Sequence, residues 1–280
     1  MDFEVINFSQ KYLRPLFKAF QKAWDDPATR LNVSINDFEK RLLHKLNINP
    51  EYSLLAVKDE QIIGFILHTV NYYKGTSCIY NGGTGVIPEF RGNAITEALY
   101  LKLLPKLKEE KISKTILEVV TTNDPAIKAY RKIGFTKTQT YKCYANRQGV
   151  SHVTNNLRTV KKYDPLFSTF WDFEPCFLDQ PDQLKYNMEN EVILEENQGG
   201  ETRGYIIFQP HLGRISQLAV KPAYRKKGIG TKLVNYAKYH SRTPLLTVMN
   251  IPNTATGMIA FLERIGFVNE IDQYEMELII

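Results

Sequence analysis

The chain has 280 residues, 43% hydrophobic and 24% charged, which is ordinary globular usage and enough length for two domains. No apolar run reaches the ~20 residues a bilayer requires, acidic residues interrupt the opening segment, which does not read as a secretory signal, and Cys78, Cys143 and Cys176 stand far apart, which fits a reducing compartment better than a disulfide framework; a cytoplasmic protein is expected. Net charge is +6 and uneven, with 22 basic and 15 acidic residues over 1–150 (+7) against 14 and 15 over 151–280 (−1). The basic residues form no dense run, so an anionic small ligand is expected, with no nucleic acid and no membrane as partner.

In chain order, apolar stripes predict two opening helices, one through Leu13, Leu16, Phe17 and Phe20, the other through Phe38, Leu42 and Leu46. Ser53–Lys58 and Gln61–Val70 read as a hairpin turning at Asp59-Glu60. A strand over Ser77–Val86 leads through a polar loop into a helix on which Ile95, Leu99, Leu103 and Leu107 recur. The β-rich run Thr115–Val120 follows, then a helix ending at Gly134 and a strand over 138–146. Lys161–Pro165 reads as a linker. Beyond it come short strands near 191–196 and 203–209, a strand over Arg214–Val220, a helix with Ile229, Leu233 and Ala237, the run Leu245–Val248, a helix ending at Gly266 and a last strand over 273–280.

The second half repeats the first. Val86-Ile87-Pro88-Glu89-Phe90-Arg91 is echoed by Val220-Lys221-Pro222-Ala223-Tyr224-Arg225, and Arg131-Lys132-Ile133-Gly134-Phe135 by Glu263-Arg264-Ile265-Gly266-Phe267. The two echoes are 44 positions apart in the first copy (Arg91 to Phe135) and 42 in the second (Arg225 to Phe267).

In each copy a strand ends in a loop that opens a helix. The free N–H groups of such a helix start, and its partial positive charge, suit an anion such as phosphate. Arg225, Lys226, Lys227, Gly228, Ile229 and Gly230 fit that use, the glycines allowing close approach; a tight strand-to-helix turn with a solvated basic flank fits them equally. Neither GxxxxGK[ST] nor GxGxxG is present. Histidines and cysteines show no HExxH or CxxC spacing, so no metal is expected, and no GxSxG elbow supports hydrolase chemistry.

Arg225-x-x-Gly228-x-Gly230 resembles the pyrophosphate loop of the GNAT N-acetyltransferase superfamily, and Glu118-Val119-x-x-x-Asn123-x-x-Ala126-x-x-x-Tyr130-x-x-x-Gly134-Phe135 is similar to its second signature. The resemblance covers nearly the whole chain, twice. It implies an α/β fold in two tandem domains, 1–160 and 161–280, each an α+β mixed sheet splayed between its central strands. It also implies acetyl-CoA as cofactor and a primary amine, on a small molecule or a peptide, as acceptor.

On that resemblance the cofactor-binding residues are Val86, Ile87, Arg91, Gly92, Asn93, Ala94, Ile95, Thr96 and Asn123 in the first copy. In the second they are Leu218, Ala219, Val220, Arg225, Lys226, Lys227, Gly228, Ile229, Gly230 and Thr231. Tyr130 matches the family's acid, a phenol protonated at neutral pH; packing on its helix is the competing reading. Glu118 is the candidate base, or else a solvent-facing strand residue. The first copy has Ala94 and Thr96 where the second has Gly228 and Gly230. The second has Leu262 where the first has Tyr130. The first domain is the expected catalytic one; the alternatives are the second domain, or a protein that binds acyl-CoA without turnover. A homodimer is compatible with this pattern.

Overall fold

The computed structural model describes residues 2–24, 34–149, 153 and 157–280; His152, one of the histidines weighed above, lies outside them. The chain divides into two compact units, Met1–Thr138 with Tyr274–Ile280, and Gln139–Gln273. This division differs from 1–160 and 161–280. Residues 139–146 pair antiparallel inside the second unit, and the segment 274–280 packs inside the first.

The first unit runs β1 (Glu4–Asn7), α1 (Leu13–Ala23), α2 (Ile35–Lys40), β2 (Leu54–Lys58), β3 (Gln61–Tyr73), β4 (Thr76–Val86), α3 (Ile95–Glu109), β5 (Lys114–Val120) and α4 (Asp124–Ile133). The Ser34 hydroxyl caps α2 by accepting from Asp37 N–H at 3.1 Å, and the helix continues as a π-type turn over Arg41–Lys45. Both hairpins turn through two left-handed residues, Asp59-Glu60 and Lys74-Gly75, the pattern that matches strand twist. Strand order is β1-β2-β3-β4-β5 followed by residues 274–279, with β4 and β5 parallel and joined by α3. Leu99, Leu103 and Leu107 line the buried side of α3. The segment 274–279 is held by Lys114 Nζ to Glu277 at 2.8 Å. Its buried Glu275 carboxylate meets Lys74 Nζ at 3.3 Å and the Thr138 hydroxyl at 3.2 Å.

The second unit begins within β6 (Thr136–Asn146) and runs β7 (Arg158–Val160), short 3-10 turns over Pro165–Phe170 and Phe177–Asp179, α5 (Pro181–Leu184), β8 (Val192–Gln198), β9 (Glu201–Gln209), β10 (Arg214–Val220), α6 (Ile229–His240), β11 (Leu246–Pro252), α7 (Thr256–Arg264) and the start of β12 (Val268–Ile279). Its strand order is β6-β11-β10-β9-β8-β7, again with one parallel pair, β10 with β11. Alternating residues bury both faces: Ile206, Phe208 and Ile215 join Leu233 and Leu262 from the helices, while Tyr205 stacks on Phe167 at 3.9 Å.

One packing detail recurs in both units. A Cβ on Gly64 would lie 2.7 Å from Ile95 Cγ2, and one on Gly204 2.8 Å from Ile229 Cγ2. The missing side chain seats the isoleucine that opens α3 or α6, which fixes where each helix begins relative to its sheet.

Candidate active site

The loop before α3 and the loop before α6 follow one backbone path. Gly92 and Ala94 have φ of 78° and 54°; Lys226 and Gly228 have 60° and 81°. Left-handed residues alternating with ordinary ones are the backbone form of an anion-binding nest, and each loop delivers it to a helix N-terminus. Each loop has glycine at one left-handed place and a larger residue at the other, in opposite order.

Arg91 and Arg225 brace these loops. Arg91 donates to Val86 O at 3.3 Å and Ala23 O at 2.9 Å. Arg225 donates to Val220 O and Phe170 O, both at 2.9 Å, and pairs with Asp172. Asn93 Nδ2 spans its loop to Phe90 O and Arg91 O. Ile87 is buried, with its N–H bonded to Ile63 O. Val86, Ile95 and Thr96 complete this corner of the first unit. Asn123 caps α4 by accepting from Ala126 N–H at 3.2 Å.

Beside the loops the sheets open. β4 and β5 pair only from Cys78↔Lys114 to Tyr80↔Ile116, and β10 and β11 only at Arg214↔Thr247 and Ile215↔Val248. Past those points the facing backbone edges lack ladder partners, and buried edges of that kind require another. In the second unit a cleft of about 650 Å³ occupies the gap, a size suited to a small ligand. It is bordered by Leu218, Ala219 and Val220, by Arg225, Lys226 and Gly228 to Thr231, and by α7. Lys227 is not on its border; its ammonium sits 5.2 Å above the Tyr224 ring.

In the first unit the splayed part of β4 carries a polar chain. Asn81 Nδ2 donates to the Thr84 hydroxyl at 2.6 Å and to Tyr100 Oη at 2.7 Å. Tyr100 Oη lies 3.2 Å from His68 Nε2, and His68 Nδ1 2.8 Å from Tyr52 O. Tyr130, on α4, is buried, its ring edge-on to Phe135 with centroids 5.6 Å apart. Burial pushes its phenol above the ordinary value, with the nearby Thr84 hydroxyl pulling the other way, so it remains protonated at neutral pH. Burial lowers the His68 imidazole to about 4, against the pull of the Tyr52 carbonyl, so it is neutral. Glu118, half-buried on β5, accepts from the Tyr80 hydroxyl. Tyr80 and Asn81 are neighbours on β4 and point to opposite faces; Glu118 therefore lies on the face opposite the Asn81–Tyr100 chain.

The second unit has none of this chemistry at matching places. Leu218 stands for Thr84 and Leu262 for Tyr130. In the first unit Lys132 Nζ bonds Glu97, in the first turn of α3, at 2.6 Å. The matching residues of the second are Arg264 and Thr231, both on the cleft, and the first turn of α6 holds no acid.

Thr84, Asn81, Tyr100, His68, Glu97 and Arg264 escape a motif-based reading. Thr84 lies on a strand already expected to line the site, and counting back from Val86 and Val220 would have paired it with Leu218. The contact of His68 with Tyr100 has no local signal, because 32 residues separate them.

Two splayed mixed sheets, each with a nest at a helix start, define a duplicated acyl-transferase fold. The profile described as "Acetyltransferase (GNAT) family" matches residues 13–135, and that described as "Acetyltransferase (GNAT) domain" matches 189–269. An acetyltransferase of Pectobacterium atrosepticum is 32% identical over 100 residues, 36% of this chain and 68% of that protein. N-alpha-acetyltransferase 30 of Schizosaccharomyces pombe is 23% identical over 144 residues, 51% of this chain and 90% of that one. In fold, the chain is similar to a GCN5-related N-acetyltransferase from Sphaerobacter thermophilus (TM-score 0.73, 11% identity, 99% and 95% of the two chains). It is also similar to a tandem GNAT protein of the clavulanic acid biosynthesis pathway (0.71, 12%, 99% and 98%). The chain belongs to the GNAT acetyltransferase family, with two such domains in tandem. Among the described residues no helix is long and apolar enough to cross a membrane, no metal-ligating cluster occurs, and the three cysteines are buried and unbonded to one another.

Proposed function

We propose that this chain transfers an acetyl group from acetyl-CoA to a primary amine of a small molecule or peptide, by direct attack in a ternary complex, with the chemistry in the first unit. What supports this reading is that the first unit carries a buried phenol, Tyr130, on α4 and a carboxylate, Glu118, on β5 beyond the last β4–β5 pair, Tyr80↔Ile116. Both units fit the cofactor: the nests at Gly92–Ala94 and Lys226–Gly228 suit a pyrophosphate, and the unpaired edges past Tyr80 and Ile215 suit the amides of its arm. When bound, acetyl-CoA supplies an acetyl group activated as a thioester. Glu118 takes the proton the amine must shed, and Tyr130 holds a proton at Oη for the departing sulfur.

Tyr130→Phe is expected to lower kcat about 100-fold while calorimetry shows acetyl-CoA affinity unchanged; wild-type turnover would reject the acid role. A second reading, transfer in the second unit, is favoured by its open cleft. Gly228→Asp puts a carboxylate in that nest. Retained turnover with one fewer acetyl-CoA bound per chain supports the first unit as the catalytic one, and lost turnover supports the second.

A further inference from the structure

We infer that the two nests are unequal acetyl-CoA sites, the second filling first, and that one position in each helix start, Glu97 or Thr231, sets the order; this rests on the reading of both nests as pyrophosphate sites. The two loops share a backbone path but not a charge. Residues 88–97 carry Glu89 and Glu97 against Arg91, a net −1. Residues 222–231 carry Arg225, Lys226 and Lys227 with no acid, a net +3. The difference runs against the chain as a whole, whose basic excess lies in residues 1–150, so the charge of each loop is not a sample of its surroundings.

Glu97 sits in the first turn of α3, where a carboxylate answers the partial positive charge of the helix start. It also holds Lys132 Nζ, from α4, at 2.6 Å. The first nest therefore brings its own counter-anion, and the lysine beside it is engaged. A phosphate arriving there meets a like charge. The second nest is built the other way. Thr231 takes the place of Glu97, the first turn of α6 has no acid, and Arg264 takes the place of Lys132 on the border of the cleft. Among the described residues Arg264 pairs with no carboxylate; its guanidinium lies 5.8 Å from the centre of the Phe261 ring. That ring presses on the helix start, since a Cβ on Gly230 would lie 3.0 Å from Phe261 Cζ. Gly230 thus lets Phe261, and Arg264 with it, close on the nest. Thr96 and Ala129 stand at those two places in the first unit, which has no matching platform. The acids around the second nest are neutralised: Asp172 pairs with Arg225, and Glu196 with Lys232 at 3.4 Å.

Calorimetric titration of the full chain with acetyl-CoA, in about 0.1 M salt where charges more than about 10 Å apart are largely screened, is expected to resolve two dissociation constants about tenfold apart. Gly228→Asp removes the tighter one. Glu97→Thr tightens the weaker about tenfold, and Thr231→Glu weakens the tighter by as much; both changes shrink as salt is raised. Glu109→Thr removes the same charge from the far end of α3, roughly 18 Å along the axis, and leaves both constants within about twofold. Where Thr231→Glu does not fold, Glu97→Thr and Glu109→Thr carry the test. Two equal constants, or equal responses to Glu97→Thr and Glu109→Thr, overturn the inference and leave both nests standing as cofactor sites. Unchanged stoichiometry in Gly228→Asp overturns the nest reading as well.

Discussion

His68 is fully buried and neutral, with a folded pKa of about 4 against 6.5 in an exposed chain. Between those values the unfolded chain binds a proton that the folded chain refuses, so stability is full above about pH 6.5 and falls toward pH 4. The loss amounts to about 3 kcal/mol. Thermal denaturation at pH 7 and pH 4.5 is expected to show a larger drop in Tm for the wild type than for His68→Gln; equal drops would mean His68 is not the group responsible. At this scale the sequence was legible wherever a residue stood inside a motif. Tyr130 and Gly228 could be picked out because their neighbours matched at fixed spacing. The polar chain on β4 could not, because Asn81, Tyr100 and His68 meet only when β3, β4 and α3 fold against one another.

The strand-to-helix corner is the element on which both units depend. Ala94 and Lys226 occupy left-handed backbone that glycine adopts without penalty. Ala94→Gly and Lys226→Gly are each expected to raise stability in urea by about 1 kcal/mol; a decrease would show that the folded loop does not hold that conformation. Gly64→Ala and Gly204→Ala act oppositely. A methyl there meets Ile95 or Ile229 well inside contact distance, and overpacking costs about 1–3 kcal/mol. The helix start should shift with it, so calorimetry is expected to show weaker acetyl-CoA binding at the unit that carries the change. Periodicity made the strands and helices of both units readable, including the Asp59-Glu60 hairpin. It could not show that β3 runs on to Tyr73, that β12 begins at Val268, or that the α2 turn widens at Arg41–Lys45. Those ends are set by pairing and packing, which override local preference.

For the whole molecule, the repeat was visible in the sequence but the ownership of its last strands was not. Each copy ends in a Gly-Phe followed by a strand, and nothing in the strand names its neighbour. Pairing assigns residues 139–146 to β11 of the second unit and 274–280 to the first. A chain ending at Gln273 would lose Glu275 and Glu277, the partners of Lys74 and Lys114. It is expected to melt in two steps, with the first unit the less stable. Limited proteolysis should cut first within 1–138 and spare 139–273. Unchanged resistance of the first unit would show that 274–280 is dispensable to it.

That ownership also sets an order of events at the ribosome. Tyr274 is made 136 residues after Thr138, a delay of roughly 7–27 s at ordinary elongation speeds of about 5–20 residues per second. Throughout that interval the nascent first unit shows the bare edge of β5, an invitation to unwanted strand pairing, while the second unit can close before it. The half of the protein translated first is therefore the half completed last, and its need for a chaperone should lengthen whenever translation slows between the two.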